Sequence, residues 1–192
     1  MTIWFTADTH FGHANVIKYC DRPFRHKYEM DEVMITKWNE RVKVEDIVFH
    51  LGDFSFYGSI ETEKIIRKLN GHKILIRGNH DKGENYYLSK GFHQYFKNHY
   101  AITLNCTNEI INLSHYPYYE VYDHDDRKHK FADRMLKKQG NKWLLCGHVH
   151  EKWKVKDTCI NVGVDQWGFA PVSLEEIIKY REEIEASRKS NS

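Results

Sequence analysis

Apolar residues come in short blocks through the first half of the chain, and each block closes on aspartate, glycine or asparagine. Ile3 to Ala7 is β-prone and ends at Asp8, so it reads as a strand that delivers Asp8 at its C-terminal end. A short helix fits residues 13–20, and Asp21-Arg22-Pro23 breaks it, because proline disfavours helix in the residue before it. From Tyr28 to Val42 the apolar positions Met30, Val33, Met34, Trp38 and Val42 follow helical spacing. Asp46 to Leu51 predicts a second buried strand, closed by Gly52-Asp53. Ser59 to Leu69 predicts a helix with Ser59 as N-cap, and His72 to Arg77 a third strand closed by Gly78-Asn79-His80-Asp81. This alternation argues for an α/β layered fold with a parallel sheet, and it places the acid- and histidine-bearing loops at strand C-terminal ends.

The second half changes character. Phe92 to Leu113 holds β-prone stretches separated by polar pairs, which predicts antiparallel hairpins. Residues 119–139 are rich in charge, with Asp123, Asp125 and Asp126 ahead of a helix-like stretch from about Phe131. Lys142 to Cys146 reads as a strand ending at Gly147, and Trp153 to Val164 as one or two more. Leu174 to Ile184 predicts a closing amphipathic helix, with Ser173 as N-cap and Glu176 at the capping-box position. With no internal repeat and no linker, residues 1–185 read as one domain, and 186–192 as a flexible tail.

Composition narrows the class. The chain has 192 residues, of which 41% are hydrophobic and 29% charged, as in ordinary globular proteins. No apolar run approaches the roughly 20 residues needed to span a bilayer, and the N-terminus has no signal-peptide pattern. Cys20, Cys106, Cys146 and Cys159 form no C-x-x-C pair and read as reduced thiols of a cytoplasmic protein. Formal charge is +2, so composition alone does not announce a polyanion-binding protein. The unusual count is 13 histidines, the commonest metal-ligand type.

Those histidines are not scattered evenly. Asp8-Thr9-His10, Asp53, Asn79-His80-Asp81, His115 and His148-Val149-His150 each follow a strand. In extended backbone the outer residues of D-x-H and H-x-H point the same way and can close on one ion. Mixed nitrogen and oxygen ligands suit manganese, iron, zinc or nickel. Taken singly, D-x-H and a lone His115 have ordinary structural explanations. The ordered set, with Gly147-His148-Val149-His150 and Gly78-Asn79-His80-Asp81 in it, does not.

The ordered blocks D-x-H, G-D, G-N-H-D, H and G-H-x-H resemble the calcineurin-like metallophosphoesterases, and they span residues 8–150. The likeness is to the small single-domain members of bacteria and their viruses. The large Ser/Thr phosphatases carry an arginine shortly after the G-D block, where this chain has Phe54-Ser55-Phe56-Tyr57. The resemblance implies two mixed β-sheets packed as a sandwich flanked by helices in four αββα layers. It implies two divalent metal ions, one on Asp8, His10, Asp53 and His150, the other on Asp53, Asn79, His115 and His148, with Asp53 bridging. It also implies a metal-bridging hydroxide as nucleophile and His80 as general acid, oriented by Asp81. The substrate it implies is a small phosphate ester, a phosphodiester before a monoester, with a nucleotide, or single-stranded DNA or RNA, as the alternative. A vestigial binding scaffold is the rival from another class, and it would show lost ligands; every position is filled.

Other residues carry weaker signals. His13 reads as lining the site beside the first metal, or else as a helix-start histidine. Arg22 and Arg25 can clamp a phosphate bidentately or remain solvated. Arg77 reads as pairing with an acid. Tyr116 and Tyr118 flank Pro117 and suit packing around a loop proline, with base stacking by Tyr116 as the functional reading. The basic run from Arg127 to Lys138 fits a solvated helix face, or a track for a nucleic-acid backbone. Loops 20–27, 54–58 and 116–130 are the segments expected to set substrate choice.

Overall fold

The computed structural model describes residues 1–104, 107–122 and 128–190, and at 128 and 129 it describes the backbone alone. Four parallel strands open the first sheet: β1 (Ile3–Thr6), β2 (Ile47–His50), β3 (His72–Ile76) and β4 (Gln94–Phe96). Between them run α1 (Ala14–Tyr19), α2 (Lys27–Arg41), α3 (Ser59–Lys68) and α4 (Glu84–Leu88). A second sheet holds β5 (His99–Leu104), β6 (Glu109–Ser114), β7 (Leu144–Cys146), β8 (Val155–Lys156) and β9 (Cys159–Asn161). A short helical turn, α5 (Lys128–Phe131), leads into a 3₁₀ turn at Ala132–Arg134. β10 (Val172–Ser173) returns to pair antiparallel with β1, and α6 (Leu174–Ser190) closes the described fold. The strand orders are β10-β1-β2-β3-β4 and β5-β6-β7-β9-β8, and both sheets are mixed.

Strand alternation explains the layering. In β3, Ile74 and Ile76 point into the space between the sheets, while Leu75 points outward. Phe5, Phe49, Ile111, Leu113, Leu145 and Ile160 fill the same inter-sheet core. The outer face of the first sheet takes Val16 from α1, Met30, Met34 and Trp38 from α2, and Ile65 and Ile66 from α3. The outer face of the second sheet, with Leu144, Cys146 and Cys159, is covered by Tyr118, Val121 and Leu136. With both faces covered, the central strands are apolar on both sides, which is why they read as blocks in the sequence.

Several expectations need correcting. Gln94–Phe96 does not form a hairpin with β5; it adds to β3 in parallel, and the antiparallel hairpin is β5–β6. Ser59 is the first helical residue of α3, Gly58 is its N-cap, and no side chain caps the end. Ser173 does form the capping box: its N–H donates to Glu176 Oε2 at 2.9 Å, and Glu176 N–H donates to Ser173 Oγ at 3.1 Å. Of the expected tail, residues 186–190 continue α6, and 191–192 lie outside the described residues. There Arg188 donates to the Asp157 carbonyl at 2.6 Å and lies over the Trp143 ring. Among the described residues the cysteines, Cys20, Cys146 and Cys159, are free thiols. Cys106, the acids Asp123, Asp125 and Asp126, and Arg127 lie outside the described residues. No described helix is long and apolar enough to cross a membrane.

Candidate metal centre

The loops after β1 and β2 run side by side. Asp8 N–H donates to Gly52 O and His10 N–H to Asp53 O, each at 3.0 Å, so the two loops hold each other in register. Gly147 N–H donates to His115 O at 3.0 Å and ties the β6 and β7 loops in the same way. His148 N–H then donates across the sandwich to Asp8 Oδ2 at 2.8 Å. The backbone does not present these residues by extended alternation. Asp8, His10, Asp53, His148 and His150 all sit at positive φ, between 48° and 71°. Left-handed backbone at non-glycine residues costs free energy, and five instances around one point mark a site whose shape the rest of the fold imposes. Two glycines make room: a Cβ on Gly147 would lie 2.7 Å from Asp8 Oδ2, and one on Gly78 would meet the Asp53 carboxylate.

The seven expected ligands come together here. Asp53 Oδ2 stands 3.6 Å from His10 Nε2 and 3.5 Å from His115 Nε2, between the two groups. Ligand atoms of Asp8, His10 and His150 lie within 4.8 Å of one another, as do those of Asp8, Asp53 and His115. His115 Nε2 is 3.0 Å from Asn79 Oδ1 and 3.2 Å from His148 Nδ1. His115 Nδ1 faces the Leu51 carbonyl at 2.8 Å, so it is the protonated nitrogen and Nε2 carries a lone pair. Acceptor atoms of His115, Asn79 and Asp53 therefore converge, and His148 Nδ1 joins them 3.2 Å from His115 Nε2. In addition Asp8 Oδ1 and both ring nitrogens of His10 are buried without hydrogen-bond partners. Such a cluster is costly unless a cation fills it.

The electrostatics agree. Burial raises Asp8 to about 6, and burial together with the Asp81 carboxylate raises Asp53 to about 8. Burial, and then the neighbouring His150, push His10 well below the usual imidazole value. A divalent ion substitutes for the protons such carboxylates otherwise keep.

The remaining site residues divide. His13 caps the start of α1 and lines the cavity of about 550 Å³ over the ligands, its ring stacked on Phe56 at 4.0 Å. His80 lines the same cavity, is exposed, and donates its N–H to Asp53 Oδ1 at 2.9 Å. Asp81 does not orient it. The Asp81 carboxylate accepts from Asp53 N, Phe54 N, Gly78 N and Tyr87 Oη at 2.7–3.0 Å, and the His80 ring is not among its partners. Asp81 thus fastens the β2 and β3 loops to each other. Arg22 is no phosphate clamp either. Its buried guanidinium donates to the carbonyls of Asp8 and Thr9 and grips Asp165 at 2.7 and 2.9 Å. Arg25 is exposed and does not line the cavity; its backbone N–H donates to Glu29. Tyr116 and Tyr118 are buried in packing, with Tyr116 stacked on Phe131 at 5.1 Å and edge-on to His148.

Four site residues carry no chemical signal of their own in the sequence, although Phe56 and Tyr122 lie in loops expected to set substrate choice. Asp165 accepts from His150 Nδ1 at 3.2 Å and leaves Nε2 for a ligand role. Tyr122 Oη meets His148 Nε2 at 3.1 Å. Tyr19, 72% exposed, and Phe56, 40% exposed, form an aromatic side of the cavity. None of the four sits in a block that names its chemistry; only burial or contact shows it.

Comparison with known proteins gives three findings. A family profile described as the calcineurin-like phosphoesterase superfamily domain matches residues 1–168. The chain is 32% identical to the uncharacterized protein MJ1445 of Methanocaldococcus jannaschii, over 98% of this chain and 96% of that one, and 32% identical to the Gene 66 protein of Mycobacterium phage D29, over 86% and 88%. The crystal structure of AQ665 from Aquifex aeolicus, a protein of unknown function, superposes with a TM-score of 0.70 at 30% identity, covering 93% of this chain and 98% of that one.

Proposed function

Because the chain belongs to the calcineurin-like phosphoesterase superfamily, we propose that it hydrolyses phosphodiesters at a dinuclear centre held by Asp8, His10, Asp53, Asn79, His115, His148 and His150. The observation that carries this reading is the position of Asp53 Oδ2 between His10 Nε2 and His115 Nε2, at 3.6 and 3.5 Å. One carboxylate has the lone pairs to serve two cations. When bound, two such ions neutralise charge on the phosphoryl oxygens and supply a nucleophile at neutral pH.

The chain's own residues do the rest. His80 stands exposed at the cavity, anchored by its backbone to Asp53, and is the group placed to hand a proton to the leaving oxygen. Partial desolvation at the cavity lowers its ring below the usual imidazole value, so the imidazolium is a stronger acid while a smaller share of it is protonated at neutral pH. Asp165 and Tyr122 fix the rings of His150 and His148. Asn79 adds a neutral oxygen, so the centre admits an anionic substrate. The open cavity, with Tyr19 and Phe56 on one side, leaves room for an ester group on each side of phosphorus, which favours a diester over a monoester. Aromatic surface there also suits a nucleobase, so a nucleic-acid diester is the second reading.

The test is hydrolysis of bis(p-nitrophenyl) phosphate and p-nitrophenyl phosphate with added manganese, iron, zinc or nickel. The expected result is diester turnover that His80→Ala abolishes while bound metal, measured by elemental analysis, persists. Wild-type inactivity on both esters with every ion, or undiminished turnover in His80→Ala, overturns the proposal.

A further inference from the structure

A second cavity adjoins the metal centre, and hydrolysis of a simple diester leaves it unused. It measures about 370 Å³, and Arg77, Lys97 and Arg134 line it; among the described residues Asp133 is its one carboxylate. The three cations come from distant segments. Arg77 leaves the end of β3 and Lys97 the end of β4, side by side because Ile76 pairs with Phe96 and Arg77 N–H donates to Phe96 O at 2.9 Å. Arg134 arrives from the 3₁₀ turn of the other sheet's covering segment. Among the described residues, none of the three is ion-paired with a carboxylate. The acid partner expected for Arg77 is absent there; its Nε–H reaches the Asp81 carbonyl at 3.4 Å, which ties it to the loop of Asn79 and His80.

This cavity shares its walls with the centre. Gly78, which precedes Asn79, lines one side. Tyr116, which follows His115, lines the other, and its ring meets the His148 ring at 4.8 Å. Three convergent cations repel one another, and an anion relieves that repulsion. Two guanidinium forks and one ammonium match the oxygens of a tetrahedral phosphoryl group better than a planar carboxylate.

We infer that this cavity is a second phosphoryl subsite, which takes a phosphoryl group carried by the same substrate as the scissile ester. The inference rests on the phosphoesterase reading of the adjoining centre. It narrows the substrate to a compound with two phosphoryl groups: an oligonucleotide offering its next diester, or a nucleotide offering a terminal phosphomonoester.

The experiment compares four substrates on wild type, Lys97→Ala, Arg134→Gln and the double variant. They are bis(p-nitrophenyl) phosphate, the dithymidine diester TpT, the same diester with a 5′-phosphate (pTpT), and the trinucleotide TpTpT. Wild type is expected to show kcat/KM about tenfold higher on pTpT or TpTpT than on TpT. The double variant is expected to lose that advantage while its rate on the aryl diester stays unchanged. An advantage for pTpT alone assigns the subsite to a terminal phosphomonoester, and one for TpTpT to an internal diester. Equal loss on all four substrates, or no advantage in wild type, overturns the inference. A binding measurement keeps the two readings apart: inorganic pyrophosphate is titrated into the metal-free protein by calorimetry. About tenfold weaker binding in the double variant supports the subsite even if no ester is hydrolysed, and equal binding overturns it.

Discussion

Asp165 Oδ2 accepts a hydrogen bond from His150 Nδ1 at 3.2 Å while the same carboxylate grips the Arg22 guanidinium. Burial acts to raise Asp165, but His150 and Arg22 outweigh it and hold the carboxyl below its usual range. Burial likewise acts to lower His150, and the Asp8 and Asp165 carboxylates hold it well above the usual imidazole value. The chain Arg22–Asp165–His150 therefore fixes one ligand ring and its tautomer from the protein interior. Orienting partners of ligating histidines are typically worth about 10–100-fold in metal affinity. Asp165→Asn is expected to weaken metal binding by about that factor. Competition against a fluorescent chelator measures it, and unchanged affinity would remove Asp165 from the site.

Metal binding should itself release protons. With Asp53 raised to about 8 and Asp8 to about 6, both carboxylates hold protons below those values in the metal-free protein. An ion must displace these protons and also the one that the Asp8 and Asp165 carboxylates hold on His150, so affinity rises with pH through about 6 and about 8 and goes on rising until His150 is neutral. Calorimetry at pH 7 in buffers of different ionisation enthalpy reads the release directly. The Asp53→Asn variant, lacking that proton, is expected to release fewer. A binding constant flat across this range contradicts the clustering of buried carboxylates.

Asp81 makes a sharper case. Its two oxygens satisfy three backbone N–H groups and the Tyr87 hydroxyl, all within one buried junction. Replacing one oxygen by NH₂ sets donor against donor. Asp81→Asn is expected to cost about 2–5 kcal/mol in urea unfolding. A residue that only fixed the His80 tautomer would leave stability alone and change the pH–rate profile. The two outcomes distinguish the scaffold role from the role the sequence motif suggests.

That case also shows where sequence was legible. The ligand blocks could be read because each stands at the end of an apolar run, and strand ends in a parallel sheet converge on one edge. The strands β1, β2 and β3 were legible for the same reason, since burial on both faces leaves uninterrupted apolar runs. The roles of Arg22 and Asp81 were not, because charged residues near a motif look alike whether their partner is substrate or backbone. Asp165 lies 15 positions beyond His150, in a segment without periodicity, and only tertiary folding joins them. Gln94–Phe96 is too short for its pattern to say which strand it pairs with, and its register on β3 is set by packing.

His50 gives the fold a pH limit separate from the ligands. It ends β2 fully buried, and Nε2 meets Thr9 Oγ1 at 3.0 Å. Thr9 Oγ1–H donates to the Phe54 carbonyl at 2.8 Å, so His50 Nε2–H is the donor in that pair. Burial lowers the ring to about 3 from an ordinary value near 6.5. The folded state therefore resists protonation that the unfolded chain accepts. The stability tied to neutral His50 is fully present above about pH 6.5, and it falls as pH drops from there toward 3. At about 1.4 kcal/mol per unit the loss from pH 6.5 to 5 is roughly 2 kcal/mol for this one group. Urea unfolding at pH 7 and pH 5 should show that loss in the wild type. His50→Phe, which removes the titrating ring, should lose about 2 kcal/mol less over the same interval, whatever its stability at pH 7. Parallel losses in the two proteins would mean that His50 takes up its proton without unfolding.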